Sequence, residues 1–190
     1  GTVSQFTLLY SGNIGEFHEL KTAIDAIAVL EERGRDDIRF LVIGEGSRKA
    51  ALNQYVDSRQ ISNVAFLPFQ PLEKVPQTLT SGDASLVGIK PEMVGMCVSS
   101  KLYSSLAAGM PILATVGEED EVQRVVKECD CGAYVEPGDA RAAADVLESW
   151  ADDSEEVRRI GENARKCLES RYTSSHAISK YQNLLKELTR

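Results

Sequence analysis

The sequence predicts an α/β fold with a doubly wound parallel sheet of about six strands and helices on both faces. Short apolar runs alternate with amphipathic stretches along the chain of 190 residues, which is the pattern of successive strand–helix units. Several of the apolar runs end at glycine or proline, the residues that favour turns. The run 39–43 is apolar at almost every position, as expected for a strand that helices cover on both faces.

Each element follows from one of these patterns. The apolar runs place six strands, at residues 6–10, 39–43, 63–67, 84–87, 112–114 and 133–135. Amphipathic spacing places helices at residues 19–32, around 51–56, at 74–80, 100–108, 119–128, 140–151, 155–171 and 174–189. Right-handed crossovers then produce a Rossmann-like sheet. Because no linker or repeat interrupts the pattern, residues 1–190 are expected to form one domain.

The composition limits the classes of partner. The formal net charge is −8 at pH 7, which argues against nucleic acid because phosphate neutralisation needs a basic surface. No apolar run is long enough for a membrane span, and the first residues lack the pattern of a signal peptide. The four cysteines lack paired C-x-x-C spacing, so we expect reduced thiols, no zinc site and a cytoplasmic location.

The most informative segment, residues 99–114, is an alanine-rich helix that hydroxyl residues and Lys101 open and that Gly109 and Pro111 end. A helix N-terminus offers unpaired backbone N–H groups and a partial positive charge. Ser100 and Lys101 therefore make this helix start a candidate anion site. An ordinary capped helix has the same local pattern.

The loop after the first strand, residues 11–15, carries Gly12 and Gly15, which let the backbone approach a ligand or form a tight turn. The loop does not follow the G-x-G-x-x-G pattern, and no acidic residue ends the second strand about 20 residues further on, so no NAD site is expected. The chain also lacks the G-x-x-x-x-G-K-[ST] motif, which excludes a P-loop NTPase.

Two further loops follow predicted strands. Arg48 and Lys49 come after a glycine turn and suit a diphosphate, although solvated surface charges have the same spacing. Phe69 lies in a proline-stiffened loop, where it either contacts a flat base or packs on the protein. His18 and His176 fall in separate elements and the acidic residues are scattered over helix faces, so neither a catalytic triad nor a metal site is expected.

Taken together, these segments resemble the C-terminal, donor-binding half of family 4 glycosyltransferases, which have the GT-B fold. The resemblance covers nearly the whole chain and rests on the order and spacing of its segments. The matching segments are residues 10–15, 40–46, 63–68, 100–112, 131–139 and 163–165. Such enzymes move a sugar from a nucleotide-sugar donor to an acceptor, usually with retention and without a required metal. The resemblance therefore implies a hexosyltransferase of cell-surface polysaccharide or glycoconjugate synthesis.

The resemblance also implies a set of ligands and partners. The donor is expected to be a UDP-sugar rather than a GDP-sugar, with no metal or other cofactor. An N-terminal acceptor domain of the same enzyme is absent from residues 1–190, so this domain alone is expected to be inactive. Any membrane contact, at the inner face, would be made through that absent domain. By resemblance, the donor contacts Gly12, Asn13, Gly15, Arg48, Lys49, Phe69, Ser99, Ser100, Lys101, Leu102 and Tyr103.

The chain departs from the family pattern at positions that carry charge. Many members have two glutamates eight positions apart in the last donor segment, where this chain has Met96 and Ser104. A serine hydroxyl cannot accept from a ribose diol with two oxygens, as a carboxylate does. The cation that many members carry just after the first glycine loop is missing, and Glu16 lies near that place.

Two alternatives from other classes remain open at this stage. One is a flavodoxin-like or receiver-like module that binds a partner or a flavin, although a receiver needs acidic residues where Ser11 and Pro68 stand. A GT-B-type sugar-nucleotide epimerase shares the fold and needs further acid/base residues. For a GT-B enzyme, the last helix is expected to expose an apolar face where the other domain is missing. This face carries Ile178, Tyr181 and Leu185.

Overall fold

The computed structural model describes residues 5–188. Six parallel strands form one sheet in the order β3-β2-β1-β4-β5-β6. The strands are β1 (Phe6–Ser11), β2 (Ile38–Ile43), β3 (Val64–Leu67), β4 (Ala84–Gly88), β5 (Ile112–Thr115) and β6 (Gly132–Val135). The predicted doubly wound sheet is confirmed, and each strand end lies within one residue of its predicted position.

All eight predicted helices are present. They are α1 (Lys21–Glu32), α2 (Lys49–Ser58), α3 (Val75–Leu79), α4 (Ser100–Ala108), α5 (Glu121–Cys129), α6 (Ala140–Asp152), α7 (Ser154–Arg171) and α8 (Ser174–Leu188). Short 3₁₀ turns at Leu72–Lys74 and Pro91–Met93 precede α3 and α4. Helix α1 begins two residues later than predicted, and the carboxylate of Glu19 just before it accepts the N–H of Thr22 at 3.0 Å.

The helices divide between the two faces of the sheet. Helix α6 packs against α1 on one face, whereas α7 packs against α4 on the other. Phe40 and Trp150 belong to the first of the two buried clusters, and Leu102 and Val125 belong to the second. Apolar burial on both faces explains why β2, β4 and β5 read as nearly continuous apolar runs.

One prediction about the cysteines is wrong. Cys129 and Cys167 form a disulfide, with their Cα atoms 5.9 Å apart, whereas Cys97 and Cys131 are free. Cys129 ends α5 and Cys167 lies in α7, and the two helices pack against each other. Because tertiary packing brings together residues 38 positions apart, sequence spacing could not reveal the pair.

The last helix, α8, contributes no buried residue to the domain. Ile178, Tyr181 and Leu185 are exposed, so the predicted apolar face is confirmed. Within residues 5–188, no helix is both long enough and apolar enough to span a membrane.

Candidate functional site

The strand order places a crevice between β1 and β4. From β1 the chain builds the sheet outward through β2 and β3, and it then returns to add β4 on the other side. In a doubly wound sheet, ligands bind beyond the carboxyl ends of the strands at this reversal point. The crevice is bordered here by the loop of residues 12–20 after β1 and by the start of α4. We take it as the candidate site.

The side chain of Lys101 crosses this crevice directly over Gly12. A Cβ atom at residue 12 would lie 2.8 Å from Cε of Lys101, closer than atoms pack. Gly12 also has a φ of 140°, a conformation that favours glycine. The glycine that the sequence singled out therefore leaves room for the lysine of α4 as well as for a turn.

The amine of Lys101 meets two aromatic groups of the β1 region. Its Nζ lies 3.1 Å from Nε2 of His18 and 4.9 Å from the centre of the Tyr10 ring. The other ring nitrogen of His18, Nδ1, accepts the backbone N–H of Gly15 at 3.0 Å. The Tyr10 hydroxyl donates to the carbonyl of Asn13 at 2.5 Å. These bonds fix the β1 loop around the lysine.

The surroundings of Lys101 disfavour charge. Burial lowers the pKa of Lys101 to about 8. Burial, and then the charge of Lys101, lower the pKa of His18 to about 4. Among residues 5–188, no carboxylate forms an ion pair with Lys101. A lysine without a counterion at a helix start is suited to receive an anionic ligand.

The start of α4 lacks the usual cap. The side chain of Ser99 makes no capping hydrogen bond, and no acidic residue lies in the first turn. The first backbone N–H groups of an α-helix have no acceptor within the helix. The Leu102 N–H donates to the Ser99 carbonyl at 3.1 Å, which leaves the N–H groups of Ser100 and Lys101 for a ligand.

The two predicted cations after β2 are engaged elsewhere. The Lys49 amine donates to the carbonyl of Gly44 at 3.0 Å, to the carboxylate of Glu45 at 2.7 Å and to the carbonyl of Leu67 at 3.4 Å. Lys49 thus holds the ends of β2 and β3 together. Arg48 forms an ion pair with Glu16 at 3.6 Å. Glu16 therefore contacts Arg48 rather than the amine of Lys101.

Two more predicted residues turn their side chains away from the crevice. Leu102 is fully buried in the core. Tyr103 packs against Tyr172, with ring centres 5.4 Å apart, and borders a cavity of about 480 Å³ against α7 and α8. The helical period directs these side chains to the core and to α7. Only their backbone groups remain near the helix start.

The other predicted residues keep an accessible position. Phe69 is 53% exposed in the loop after β3. Asn13 and Ser100 are exposed, and Gly15 is half-buried in the β1 loop. Ser104, which stands where the family pattern has a glutamate, is half-buried and donates to the carbonyl of Ser100 at 3.3 Å. The structure thus brings the β1 loop and the α4 start together, with Phe69 further along the strand ends.

Sequence reasoning gave His18 and Tyr10 no role. His18 also borders a cavity of about 300 Å³ with Lys21, Arg48 and Lys90. Its place in the loop after the first strand was the available signal. Its contact with Lys101 spans 83 residues of sequence and depends on the packing of α4 beside β1. Among residues 5–188, no cluster of three metal-ligating side chains occurs.

Comparison with known proteins gives one family. The profile described as "Glycosyl transferases group 1" matches residues 3–167. WcaI of Escherichia coli (strain K12), a glycosyl transferase assigned to colanic acid biosynthesis, is 37% identical over 103 residues, which are 54% of this chain and 24% of that protein. The chain spans less than half the length of the curated relatives it matches.

Two solved structures share the fold. The C-terminal domain of LpcC, a group 1 family glycosyl transferase of Francisella tularensis, superposes with a TM-score of 0.70 and 21% identity, over 89% of this chain and 87% of that one. HepE of Anabaena, solved in complex with UDP-glucose, superposes with a TM-score of 0.76 and 17% identity, over 97% of this chain and 49% of that one. At such identities the likeness concerns the fold.

Proposed function

The chain belongs to the group 1 glycosyl transferases, and we propose that residues 1–190 form the donor-binding half of a retaining, metal-independent glycosyltransferase. The observation that carries this proposal is the uncapped start of α4, with Lys101 lying over Gly12 at the reversal point of the sheet. A helix start with free N–H groups and a nearby amine is suited to a diphosphate. Its ligand is proposed to be a UDP-sugar, as supported by the UDP-glucose complex of HepE.

The diphosphate is proposed to contact the backbone of Ser99 and Ser100 and the amine of Lys101, since the Leu102 N–H already donates to the Ser99 carbonyl at 3.1 Å. Negative charge grows on a nucleoside diphosphate as the bond to the sugar breaks, and donors placed around it lower the barrier. Many family members use a cation on the first glycine loop for this purpose. In this chain Asn13 and Glu16 occupy that loop, so Lys101, reaching from α4, is proposed to supply the positive charge.

The nucleoside is proposed to extend towards Phe69, whose exposed ring can stack on a base. Ser104 already donates to a helix carbonyl. Its oxygen can still accept one bond but cannot replace the two oxygens of a carboxylate. A donor whose ribose is bound by one hydroxyl rather than a carboxylate is therefore expected. The colanic acid assignment of WcaI supports an acceptor in polysaccharide synthesis.

The acceptor half is proposed to lie outside residues 1–190. The relatives are more than twice as long as the stretch matched here. The C-terminal domain of LpcC was solved as a separate structure, which supports studying the present chain by itself. The exposed side chains of Ile178 and Tyr181 on α8 are proposed to contact that half. The isolated chain is therefore expected to bind nucleotide weakly and to transfer no sugar.

Saturation-transfer NMR on the 190-residue chain with UDP, UDP-glucose, GDP and FMN tests the proposal. We expect signals from UDP and UDP-glucose, and Lys101→Met should weaken UDP-glucose binding by about tenfold or more, since a hydrogen bond to a charged group contributes about 1.5–3 kcal/mol. Lys166→Met, at an exposed position of α7, is the matched control and should bind like the unaltered chain. Binding of FMN alone would favour the flavodoxin-like alternative, and an epimerised UDP-sugar would favour the epimerase.

A further inference from the structure

The hydrogen bonds around His18 allow only one arrangement of protons. Nδ1 of His18 accepts the N–H of Gly15, so Nδ1 carries no proton. A neutral imidazole must then carry its proton on Nε2. This Nε2–H points at Nζ of Lys101, 3.1 Å away. Nζ must therefore accept a hydrogen bond, which an ammonium group cannot do.

The other protonation states fail at one of the two contacts. If Lys101 is an ammonium, Nε2 has to accept from it, and the proton of a neutral His18 moves to Nδ1. That proton then faces the N–H of Gly15 at 3.0 Å. If His18 is an imidazolium, both of its N–H groups face donors. The only combination without opposed donors is a neutral amine beside the Nε2–H form of His18.

We propose that His18 is a positioning residue that holds the uncharged form of Lys101 over Gly12 in the empty site, and that this form takes up a proton from solvent when an anionic ligand binds. This inference rests on the proposed function for the identity of the ligand, a nucleoside diphosphate sugar. On binding, Lys101 becomes an ammonium and donates to a phosphate oxygen. The Nε2–H of His18 then loses its acceptor and is free to donate to the same anion.

The surrounding groups agree with an uncharged amine. The β1 strand contributes the Tyr10 phenol, and the first turn of α4 contributes no acid. Glu16 pairs with Arg48, Lys21 with Asp25, and one oxygen of Glu19 accepts from Thr22. Lys90, which borders the same cavity as His18, adds a further positive charge. The ring face of Tyr10, 4.9 Å from Nζ, gives the ammonium a favourable surface once it forms.

The direction of the pKa values agrees with this arrangement. The pKa of Lys101, about 8, makes loss of its proton accessible near neutral pH. The pKa of His18, about 4, keeps the ring neutral above pH 5. A bound diphosphate places negative charge beside Nζ, which raises the pKa of the amine and drives the uptake of a proton.

Two NMR measurements on the 190-residue chain test the inference. Long-range ¹H–¹⁵N correlation reports which nitrogen of His18 is protonated, and ¹³Cε shifts of lysine report the titration of Lys101, assigned by its loss in Lys101→Arg. We expect the Nε2–H form at pH 9, above a Lys101 midpoint near 8. With saturating UDP-glucose, whose diphosphate does not titrate in this range, the midpoint should rise above 10. The uptake is then about 0.7 proton at pH 8.5 and about 0.1 at pH 7.

The affinity for UDP-glucose gives an independent readout. Between pH 7 and pH 9 the unaltered chain should lose about tenfold in affinity as the uncharged amine becomes dominant. Lys101→Arg, which stays charged, should show no such loss. His18→Gln offers an amide oxygen to the ammonium, so it should raise the Lys101 midpoint and flatten the pH profile.

The possible outcomes distinguish a failure of this inference from a failure of the proposed function. A proton on Nδ1 of His18 at pH 9, or a Lys101 midpoint above 10 in the empty chain, overturns the inference. Absence of any shift change with UDP-glucose counts against the proposed function, whereas the protonation state of the empty pair is still decided by the first measurement.

Discussion

The start of α4 differs from the starts of α5, α6 and α7 in whether a side chain accepts its free backbone N–H groups. Asp120, Asp139 and Asp153 each place a carboxylate oxygen 2.8–3.0 Å from a backbone N–H in the first turn of their helices. Ser99 makes no such bond, and the first turn of α4 carries Lys101 instead. Three helix starts are thus closed by the chain itself. The start of α4, at the reversal point of the sheet, has no such side-chain cap, and neither has the start of α2. The α4 start is the one proposed to bind the ligand.

The largest expected effect comes from closing the open start sterically. Gly12→Ala forces a side chain into a φ of 140° and 2.8 Å from Cε of Lys101. We expect a loss of about 2 kcal/mol in the free energy of unfolding and weaker binding of UDP-glucose because Lys101 is displaced. Urea denaturation and NMR titration measure the two effects. Gly138→Ala, also at positive φ but with open space around it, is the control and should affect stability alone.

A second effect is the pH dependence of stability that His18 contributes beside the start of α4. Because the pKa of His18 is lowered to about 4 in the folded chain, the unfolded chain binds its proton first as the pH falls below 6.5. Stability is therefore lost between pH 6.5 and pH 4. Between pH 7 and pH 5 this loss is about 1 kcal/mol, with full linkage halved for the partial exposure of the ring.

Urea denaturation at the two pH values checks this contribution. His18→Gln should lose less stability than the unaltered chain over that interval. An equal loss in both chains would show that His18 does not titrate abnormally.

A comparable effect is expected from opening one of the closed starts. Asp139→Ala removes the carboxylate that accepts the N–H of Ala142 at 3.0 Å. Stability should fall by about 1 kcal/mol, while the affinity for UDP-glucose stays the same because the Asp139 carboxylate bonds within α6 and not to the β1 loop or the start of α4. Thermal denaturation monitored by circular dichroism measures the first quantity. A change in nucleotide affinity would mean that the caps and the site are coupled.

The smallest effect comes from giving α4 the charge that its neighbours have. Ser100→Glu adds a carboxylate to the exposed first turn, where it interacts favourably with the helix dipole, so stability should rise by about 0.5 kcal/mol. The same charge repels a diphosphate, so UDP-glucose binding should weaken. Ser100→Gln separates charge from size. A Glu variant that binds as well as the Gln variant would argue against a phosphate at this helix start.

The sequence predicted what depends on local pattern. Apolar runs and turn residues located the strands, and the order of the loops indicated both the family and the start of α4. Local pattern did not predict the contacts between distant segments. Three contacts depend on how the helices pack. They are the approach of Lys101 to His18, the bond between Cys129 and Cys167, and the packing of Tyr103 against Tyr172. Lys49 shows the same limit, since its spacing suited a ligand and its contacts join two strand ends.

Backbone hydrogen bonds to the end of β2 also hold the loop after β1. Gly12 donates to Ile43 at 2.9 Å, Ile14 donates to Glu45 at 2.8 Å, and a Cβ at Gly44 would meet the carbonyl of Gly12. A loop tied in this way has little conformational entropy left to lose when a ligand arrives. Separation from an acceptor half should therefore lower affinity through missing contacts rather than through a disordered loop, and most of the weakening should appear as faster dissociation.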